Sequence, residues 1–526
     1  MISSDEEVHV STTPLQDKAD VDERLSALLT NAAAVRAIAG AVENTLGPKG
    51  LDTMLVDRTG DIVVTNAGVT ILDRMEVSHP AARMVINIAR TQHEQIGDGT
   101  TTATIMAGTL VNEGLGYVIK GVPVSKLIEG MEQGIRHCLS TLEDQAVKIC
   151  DVNDPNAYKV ALVAGRGFQD IAGSVCELAK LIGPEKVHDH TFRLSDRIIS
   201  EVGAPLEVYP GLIIRKRRIN EQMPVKVQNT RVLVLDDGLG PEELSEAALR
   251  TEAGFAQYLH YQELFRDKLE KIVAMGIGCV VLEGGIDEYA EERLTREGVM
   301  VISRLYSSDF RNIIDFTGAR PMKRTGLGRK EESILADCGF AGEVQEDVKL
   351  GHIRMAGGKG GTMATMCIGA STAEVVGEKE RIARDAASSL QAALCGGIVP
   401  GGGSAEFALI SSMKDLRRQV SGMTAYGIDC VIEALKRPMA QIIANSGFNP
   451  LEKLEDVVRA LEKEGGYWGI DCDSGEVCAV TEKGVIDPFL VKKHALQAAM
   501  EVASAILRIN TIIKMKDRDG CSRQEG

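Results

Sequence analysis

The stretch Gly97-Asp98-Gly99-Thr100-Thr101-Thr102 constrains this chain more than any other. Gly97 and Gly99 remove Cβ atoms where a backbone must come close to something else. The apolar residues that follow, Ala103, Ile105, Met106, Leu110 and Val111, have helical spacing. Thr100 to Thr102 therefore lie in the first turn of a helix. A helix start offers free N–H groups and the positive end of the macrodipole, which suit an anion, most simply a phosphate. Asp98 stands at the same mouth as an acceptor-only carboxylate, which would repel a phosphate. A bridging Mg²⁺ removes the conflict, because that ion is commonly held by carboxylate together with phosphate oxygens. Thr45-Leu46-Gly47-Pro48-Lys49-Gly50 reads as the second wall of the same nucleotide pocket. The bare pattern also fits an ordinary capped helix after a tight turn, since glycine-rich helix starts are common.

At 526 residues the chain is too long for one ordinary core, so two to four domains are expected. Aromatics make up only 4%, so the cores must be built from Ala, Val, Ile, Leu and Met. A net charge of −16 argues against nucleic acid or an anionic membrane as the main partner. The 11 cysteines show no CxxC pair, which fits reduced thiols better than a disulfide frame or a zinc site. No apolar run reaches membrane-spanning length, and Met1 to Asp22 is too polar for a secretory signal. The expected location is the cytoplasm.

Met1 to Asp22 reads as a disordered tail. Leu25, Leu28, Leu29, Ala32, Val35, Ile38, Val42 and Leu46 then mark one face of a long helix, which Gly47-Pro48 ends. Met54–Val56 and Ile62–Thr65 are short strands, and Pro80 opens another helix. Helices continue to about Ala146. From about Asn153 the texture changes. Val232–Leu235 is a buried strand, and Val280–Leu282, a helix from Asp287 and Val299–Ile302 form a βαβ unit. Gly357-Gly358-Lys359-Gly360-Gly361-Thr362 lacks phosphate-loop spacing and reads as a glycine hairpin. Helix resumes from Glu378, and Pro400-Gly401-Gly402-Gly403-Ser404 opens a further helix. The fold class is mixed α and α/β and multidomain. A helical domain is built from both chain ends, and an α/β domain is inserted between them.

Leu46–Gly50 (LGPKG), Gly97–Thr102 (GDGTTT) and Pro400–Glu406 (PGGGSAE) occur in this order at separations that resemble the chaperonin family. The resemblance runs from about Asp22 to about Met515 and is of the group II type. Its N-terminal stretch is similar to the bacterial group III members, in which one gene product builds the whole ring. The resemblance implies an equatorial ATPase domain over 1–149 and 401–526, an intermediate hinge domain over 150–217 and 367–400, and an apical substrate domain over 218–366. It places Pro241–Leu269 as a helical protrusion that serves as a built-in lid, and Gly285–Arg304 as the apical βαβ unit. It implies a homo-oligomer of two stacked rings, with eight subunits in each.

By the same resemblance Thr45, Leu46, Gly47 and Pro48 pack against the nucleotide, and Asn66 lies beside it. Asp98 is the Mg²⁺ ligand. Gly99, Thr100, Thr101 and Thr102 cradle the phosphates of ATP, Gly402 lies against the adenosine, and Asp487 accepts from the ribose hydroxyls. K⁺ joins Mg²⁺ at the phosphates. Asp385, in register before the glycine run, is the carboxylate that positions the attacking water.

Two departures stand out. The family's TNDG turn reads Thr65-Asn66-Ala67-Gly68 here, so Ala67 occupies the place of the second water-handling aspartate. Alanine neither accepts a proton nor orients water, and positioning dominates phosphoryl transfer, so hydrolysis is expected to be slow. Arg166 stands where group II members commonly carry a nucleotide-sensing lysine, which keeps the charge and alters its reach.

The resemblance implies a cyclic machine. Apolar surface captures unfolded proteins, ATP favours closure of the lid over the cavity, and hydrolysis resets the ring. Two other functions remain open at the level of sequence. One is an ATP-binding holdase without productive turnover, and the other is a small-molecule kinase or ligase.

Overall fold

The computed structural model describes residues 16–60, 62–149, 151–242, 244–245 and 250–511. The chain divides into two compact units, Met1–Arg166 with Ser388–Gly526, and Gly167–Ala387.

The first unit is built on the helix Thr100–Ile119. Its Ala103, Thr104, Ile105, Met106, Ala107, Leu110 and Val111 are all buried, so almost every face meets protein. A helix that is apolar nearly all round must be enclosed. The helices Gln16–Glu43, Pro80–Gln95, Ala425–Asn445 and Phe489–Arg508 enclose it. Small residues bring the helix axes together. A Cβ at Gly130, on the helix Val124–Gln145, would lie 1.8 Å from the Thr424 carbonyl oxygen, and one at Gly427 would lie 2.1 Å from the Leu127 carbonyl oxygen. Thr53–Val56 and Ile62–Thr65 pair antiparallel as a hairpin. Met54, Val56, Ile62 and Val64 on it are exposed.

The expected N-terminal tail needs correction. Residues 1–15 lie outside the described residues, but 16–22 belong to the helix Gln16–Glu43. A polar stretch carries no apolar periodicity to announce a helix in the sequence.

The second unit holds a six-stranded mixed sheet. Its order is Gly211–Ile214, His352–Ala356, Gly339–Asp347, Lys226–Leu235, Ile277–Leu282, Met300–Ile302. The last three strands run parallel and include the expected βαβ unit, with the helix Glu288–Arg296 as its crossover. Strand alternation sends Val232 and Val234 into one core with Phe310, Ile313 and Phe316. It sends Leu233 and Leu235 into another with Phe265, Leu269 and Ile272. A smaller sheet joins Ile198–Val202, Thr365–Ala370 and Glu207–Tyr209. Of the expected protrusion Pro241–Leu269, residues 243 and 246–249 lie outside the described residues, and the helix Glu252–Ala274 begins inside it.

The glycine hairpin at Gly357–Thr362 is also corrected. The strand before it, His352–Ala356, belongs to the six-stranded sheet, and the strand after it, Thr365–Ala370, belongs to the smaller one. The loop crosses between sheets and closes a helix instead. The Gly360 and Gly361 N–H groups donate to the carbonyls of Phe316 and Asp315 at 2.9 and 2.7 Å, near the end of the helix Ser307–Thr317. A Cβ at Gly358 or Gly360 would lie 2.2 or 2.1 Å from those same carbonyl oxygens.

Candidate functional site

The helix Pro80–Gln95 runs into the loop Ile96–Gly99, from which the helix Thr100–Ile119 starts. Gly97 and Gly99 have φ of 85° and 78°, a left-handed region that favours glycine. Both are also crowded. A Cβ at Gly97 would lie 2.3 Å from Ser388 Oγ, and one at Gly99 would lie 2.6 Å from Val491 Cγ1. Asp98 is held at both oxygens, since the Gly99 N–H donates to Oδ1 and the Ser389 hydroxyl donates to Oδ2, each at 2.6 Å. The buried Gln92 braces the loop from behind. Its Nε2 donates to the Asp98 carbonyl at 2.8 Å and to the Val491 carbonyl at 3.3 Å. No side chain of the N-cap residue Gly99 covers the helix start at Thr100–Thr102.

A second, shorter helix, Gly68–Arg74, begins beside the first. A Cβ at Gly68 would lie 2.4 Å from Thr101 Oγ1 and 3.5 Å from Thr100 Oγ1. Ala67 is the N-cap of this helix and provides no side-chain cap. Its N–H donates to Thr65 Oγ1 at 3.1 Å. Asn66 precedes it, half-buried. Ala67 and Gly68 thus adjoin the threonine turn, and the Ala67 side chain there is a buried methyl.

Thr45 to Pro48 follow the end of the helix Gln16–Glu43. The buried Thr45 hydroxyl donates to the Val42 carbonyl at 2.7 Å. Asn445 Nδ2 donates to the carbonyls of Glu43 and Leu46 at 2.9 and 2.8 Å. Gly47 has φ of 87°, and a Cβ there would lie 3.0 Å from Ile442 Cγ1. The turn therefore rests on the C-terminal part of the helix Ala425–Asn445, with Gly47 and Pro48 exposed.

The glycine run follows the strand Ile398–Pro400, which pairs antiparallel with Ile486–Pro488 so that Val399 opposes Asp487. A Cβ at Gly401 would meet Asp487 Oδ1 at 3.0 Å. Gly402 and Gly403 have φ of 63° and 79°, and a Cβ at Gly403 would lie 2.8 Å from the Met439 nitrogen. Behind the run lies an ion triad. Lys492 Nζ stands 2.8 Å from Glu406 Oε1 and 2.7 Å from Asp487 Oδ2. Burial alone would lower the lysine's pKa, yet the two carboxylates hold it above the ordinary lysine range.

Two helices tie these loops together within the one unit. Ala425–Asn445 carries Met439 against Gly403 and Ile442 against Gly47. The first turn of Phe489–Arg508 carries Val491 against Gly99 and Lys492 against Asp487. Arg166 belongs to the same unit, in the turn after the helix Pro155–Ala164. Its φ of 55° is left-handed, a conformation that is costly for a side chain with a Cβ. Asp385 belongs to the other unit, where its Oδ2 accepts from Arg381 Nη1 at 2.7 Å.

Among the described residues no group of three or more His, Cys, Asp and Glu side chains is placed to hold a metal by itself. The donor set instead fits Mg²⁺, which accepts a single carboxylate and takes its remaining ligands from phosphate and water. Each Asp98 oxygen accepts one described hydrogen bond and has a lone pair left over.

Gln92, Ser389, Glu406 and Lys492 were not foreseen as part of this region. The one signal in the sequence is charge at positions that helical spacing turns inward: Glu406 and Lys492 each lie in the first turn of a helix whose other inward residues are uncharged.

The chain matches the TCP-1/cpn60 chaperonin family profile over residues 38–517. It is 33% identical over 499 residues to a thermosome subunit of Methanocaldococcus jannaschii, covering 92% of this chain and 91% of the relative. It is 31% identical over 524 residues to the thermosome subunit beta of Sulfurisphaera tokodaii, covering 95% and 94%. Among solved structures, a group III chaperonin in the open state matches with a TM-score of 0.86 at 43% identity, covering 94% of this chain and 100% of that one.

Proposed function

The chain belongs to the TCP-1/cpn60 chaperonin family, and from that footing we propose that it is an ATP-binding chaperonin subunit whose own hydrolysis is slow. Assistance to protein folding with ATP is the general function of the family, and double rings that bind unfolded proteins are its general form. The observation that carries the reading for this chain is the linkage of Leu46–Gly47, Asp98–Gly99 and Gly401–Gly403 through two shared helices.

In this reading Thr45, Leu46, Gly47, Pro48 and Asn66 border the nucleotide, and Gly99, Thr100, Thr101 and Thr102 present N–H and hydroxyl donors to its phosphates. Asp98 holds Mg²⁺, which supplies charge neutralisation at the phosphate oxygens. K⁺ would join it there. Gly402 admits the adenosine because no Cβ stands in the way, and Asp487 accepts from the ribose. Arg166 senses the γ-phosphate, and Asp385 orients the attacking water. Ala67 contributes nothing to that water. Removing one positioned general base costs roughly 100-fold or more in rate.

The three-domain division at 1–149, 150–217, 218–366, 367–400 and 401–526 belongs to the same proposal. So does a cytoplasmic homo-oligomer with two rings of eight. The described cysteines are free thiols, which supports a reducing compartment. No described helix is long and apolar enough to cross a membrane. The exposed apolar hairpin residues Met54, Val56, Ile62 and Val64 support burial against another subunit. Phe255, Leu259 and Leu264 are exposed on the helix Glu252–Ala274 and supply apolar surface for unfolded chains.

Single-turnover hydrolysis of [γ-³²P]ATP by this chain and by Ala67→Asp tests the reading. The aspartate variant is expected to be faster by about 100-fold. Equal rates would end the claim that Ala67 limits hydrolysis. Ala67 also favours a second reading, that of a holdase. Refolding yields of a denatured client that are equal with and without ATP would favour the holdase, and an ATP-dependent gain would favour the folding machine.

A further inference from the structure

Two members of the ion triad behind the glycine run, Glu406 and Lys492, have no part in the roles assigned so far. Its three members come from three elements. Asp487 is on the strand Ile486–Pro488, Glu406 is in the first turn of the helix Ser404–Gln419, and Lys492 is in the first turn of Phe489–Arg508. The side chains of Glu406 and Lys492 are 1% and 7% exposed, while that of Asp487 is 23% exposed. Only the aspartate reaches outward. Its two oxygens are also unequal, for Oδ2 lies on Lys492 and Oδ1 faces Gly401.

A buried ion pair is poor evidence of a stabilising device, because well-packed apolar residues of similar volume often do as well or better. The triad does fix the direction of one carboxylate. With Lys492 absent, Asp487 Oδ2 would lose the ammonium that stands 2.7 Å from it. A rotated Asp487 no longer offers a fixed acceptor beside Gly401.

We propose that Lys492 is a positioning residue for the ribose of the bound nucleotide, holding the Asp487 carboxylate beside Gly401 while Glu406 anchors the lysine from the opposite helix. This rests on the reading that Asp487 accepts from the ribose hydroxyls. Lys492 touches no nucleotide atom and acts only through Asp487. Its effect therefore depends on the ribose hydroxyls being present, which a merely structural role would not.

The test is isothermal titration of the assembled full chain with Mg²⁺ and either ATP or 2′,3′-dideoxy-ATP. Asp487→Asn is expected to weaken ATP by roughly tenfold or more and to leave the dideoxy analogue almost unchanged. The paired variant Glu406→Leu with Lys492→Met removes one charge of each sign and keeps apolar bulk. It is expected to weaken ATP by about three- to tenfold, again sparing the analogue. Glu406→Gln, the milder change, leaves Lys492 on Asp487 and is expected to keep most of the parent's preference for ATP over the analogue. If Asp487→Asn retains the parent's preference, the ribose reading itself fails and the proposal falls with it. If Asp487→Asn loses the preference while the paired variant keeps it, or loses both ligands equally, the ribose reading stands and the role of Lys492 is overturned.

Discussion

Two glycine runs that look alike on paper do opposite jobs in this molecule. Gly401-Gly402-Gly403 precedes the helix Ser404–Gln419, with Gly402 and Gly403 at positive φ and the run packed against Asp487, Val485 and Met439. Gly357-Gly358-Lys359-Gly360-Gly361 follows a strand and covers the far end of the helix Ser307–Thr317, spending its N–H groups on that helix's last carbonyls. A helix start has donors to offer an anion, and a helix end has acceptors to hide. The first run adjoins a candidate nucleotide site because of the end it opens. The second is a structural closure for the same reason. Gly97-Asp98-Gly99 is of the first kind, and it adds a carboxylate for a cation.

The hardest way to break this contrast is at Asp98. Asp98→Ala is expected to lower ATP turnover by about 100-fold or more, by loss of electrostatic stabilisation at the phosphates. Its thermal unfolding midpoint should move little, because the lost hydrogen bonds sit in a part-buried loop. Steady-state phosphate release and scanning calorimetry on one preparation measure both. Unchanged turnover would put Asp98 on the structural side of the contrast.

Gly360→Ala is the opposite experiment. The new methyl would lie 2.1 Å from the Asp315 carbonyl oxygen and 2.7 Å from the Gly318 nitrogen, and neither can move without moving the helix end. Overpacking of this kind costs about 1–3 kcal/mol. Urea unfolding should show that loss, while titration calorimetry shows an unaltered affinity for MgATP. A large loss of ATP affinity with no loss of stability would reverse the assignment of the two runs.

The smallest effect compares the two cores. Burial pushes the thiols of Cys138, in the helical unit, and Cys279, in the central sheet, up from their ordinary value to about 12. A raised folded-state pKa contributes stability that is intact below pH 9 and is lost as pH rises towards 12, because the unfolded thiols ionise first. Urea midpoints measured from pH 8 to about 11 should therefore fall, and Cys138→Ala and Cys279→Ala should each flatten the decline. If only one variant flattens it, the two interiors are not equally dry.

What could be read from sequence was what neighbours along the chain decide. The hairpin strands, the helix opened by Pro80, the stop at Gly47-Pro48 and the βαβ unit at Ile277–Ile302 all follow from local propensity and spacing. The Gly357–Gly361 loop was misread because its partners are the carbonyls of Asp315 and Phe316, which spacing within the loop cannot announce. The Lys492 triad was invisible for the same reason, since Glu406 is far from it in sequence. The early start of the first helix was missed because polar residues carry no periodic signal. Gly97–Thr102 and Thr45–Gly50 were legible as a nucleotide pocket from their own residues, the other candidate site residues came from the family resemblance, and the partners Gln92 and Ser389 emerged only from packing.

The central claim is that one magnesium nucleotide is gripped where the turns at Thr45–Pro48, Gly97–Thr102 and Gly401–Gly403 meet. A cryo-electron microscopy map of the full chain saturated with MgATP tests it most directly. The account predicts phosphate density at the Gly99–Thr102 turn, a cation on the Asp98 carboxylate and adenosine against Gly402. Nucleotide density elsewhere, for instance beside Gly357–Gly361, or none at all at saturation, would contradict it.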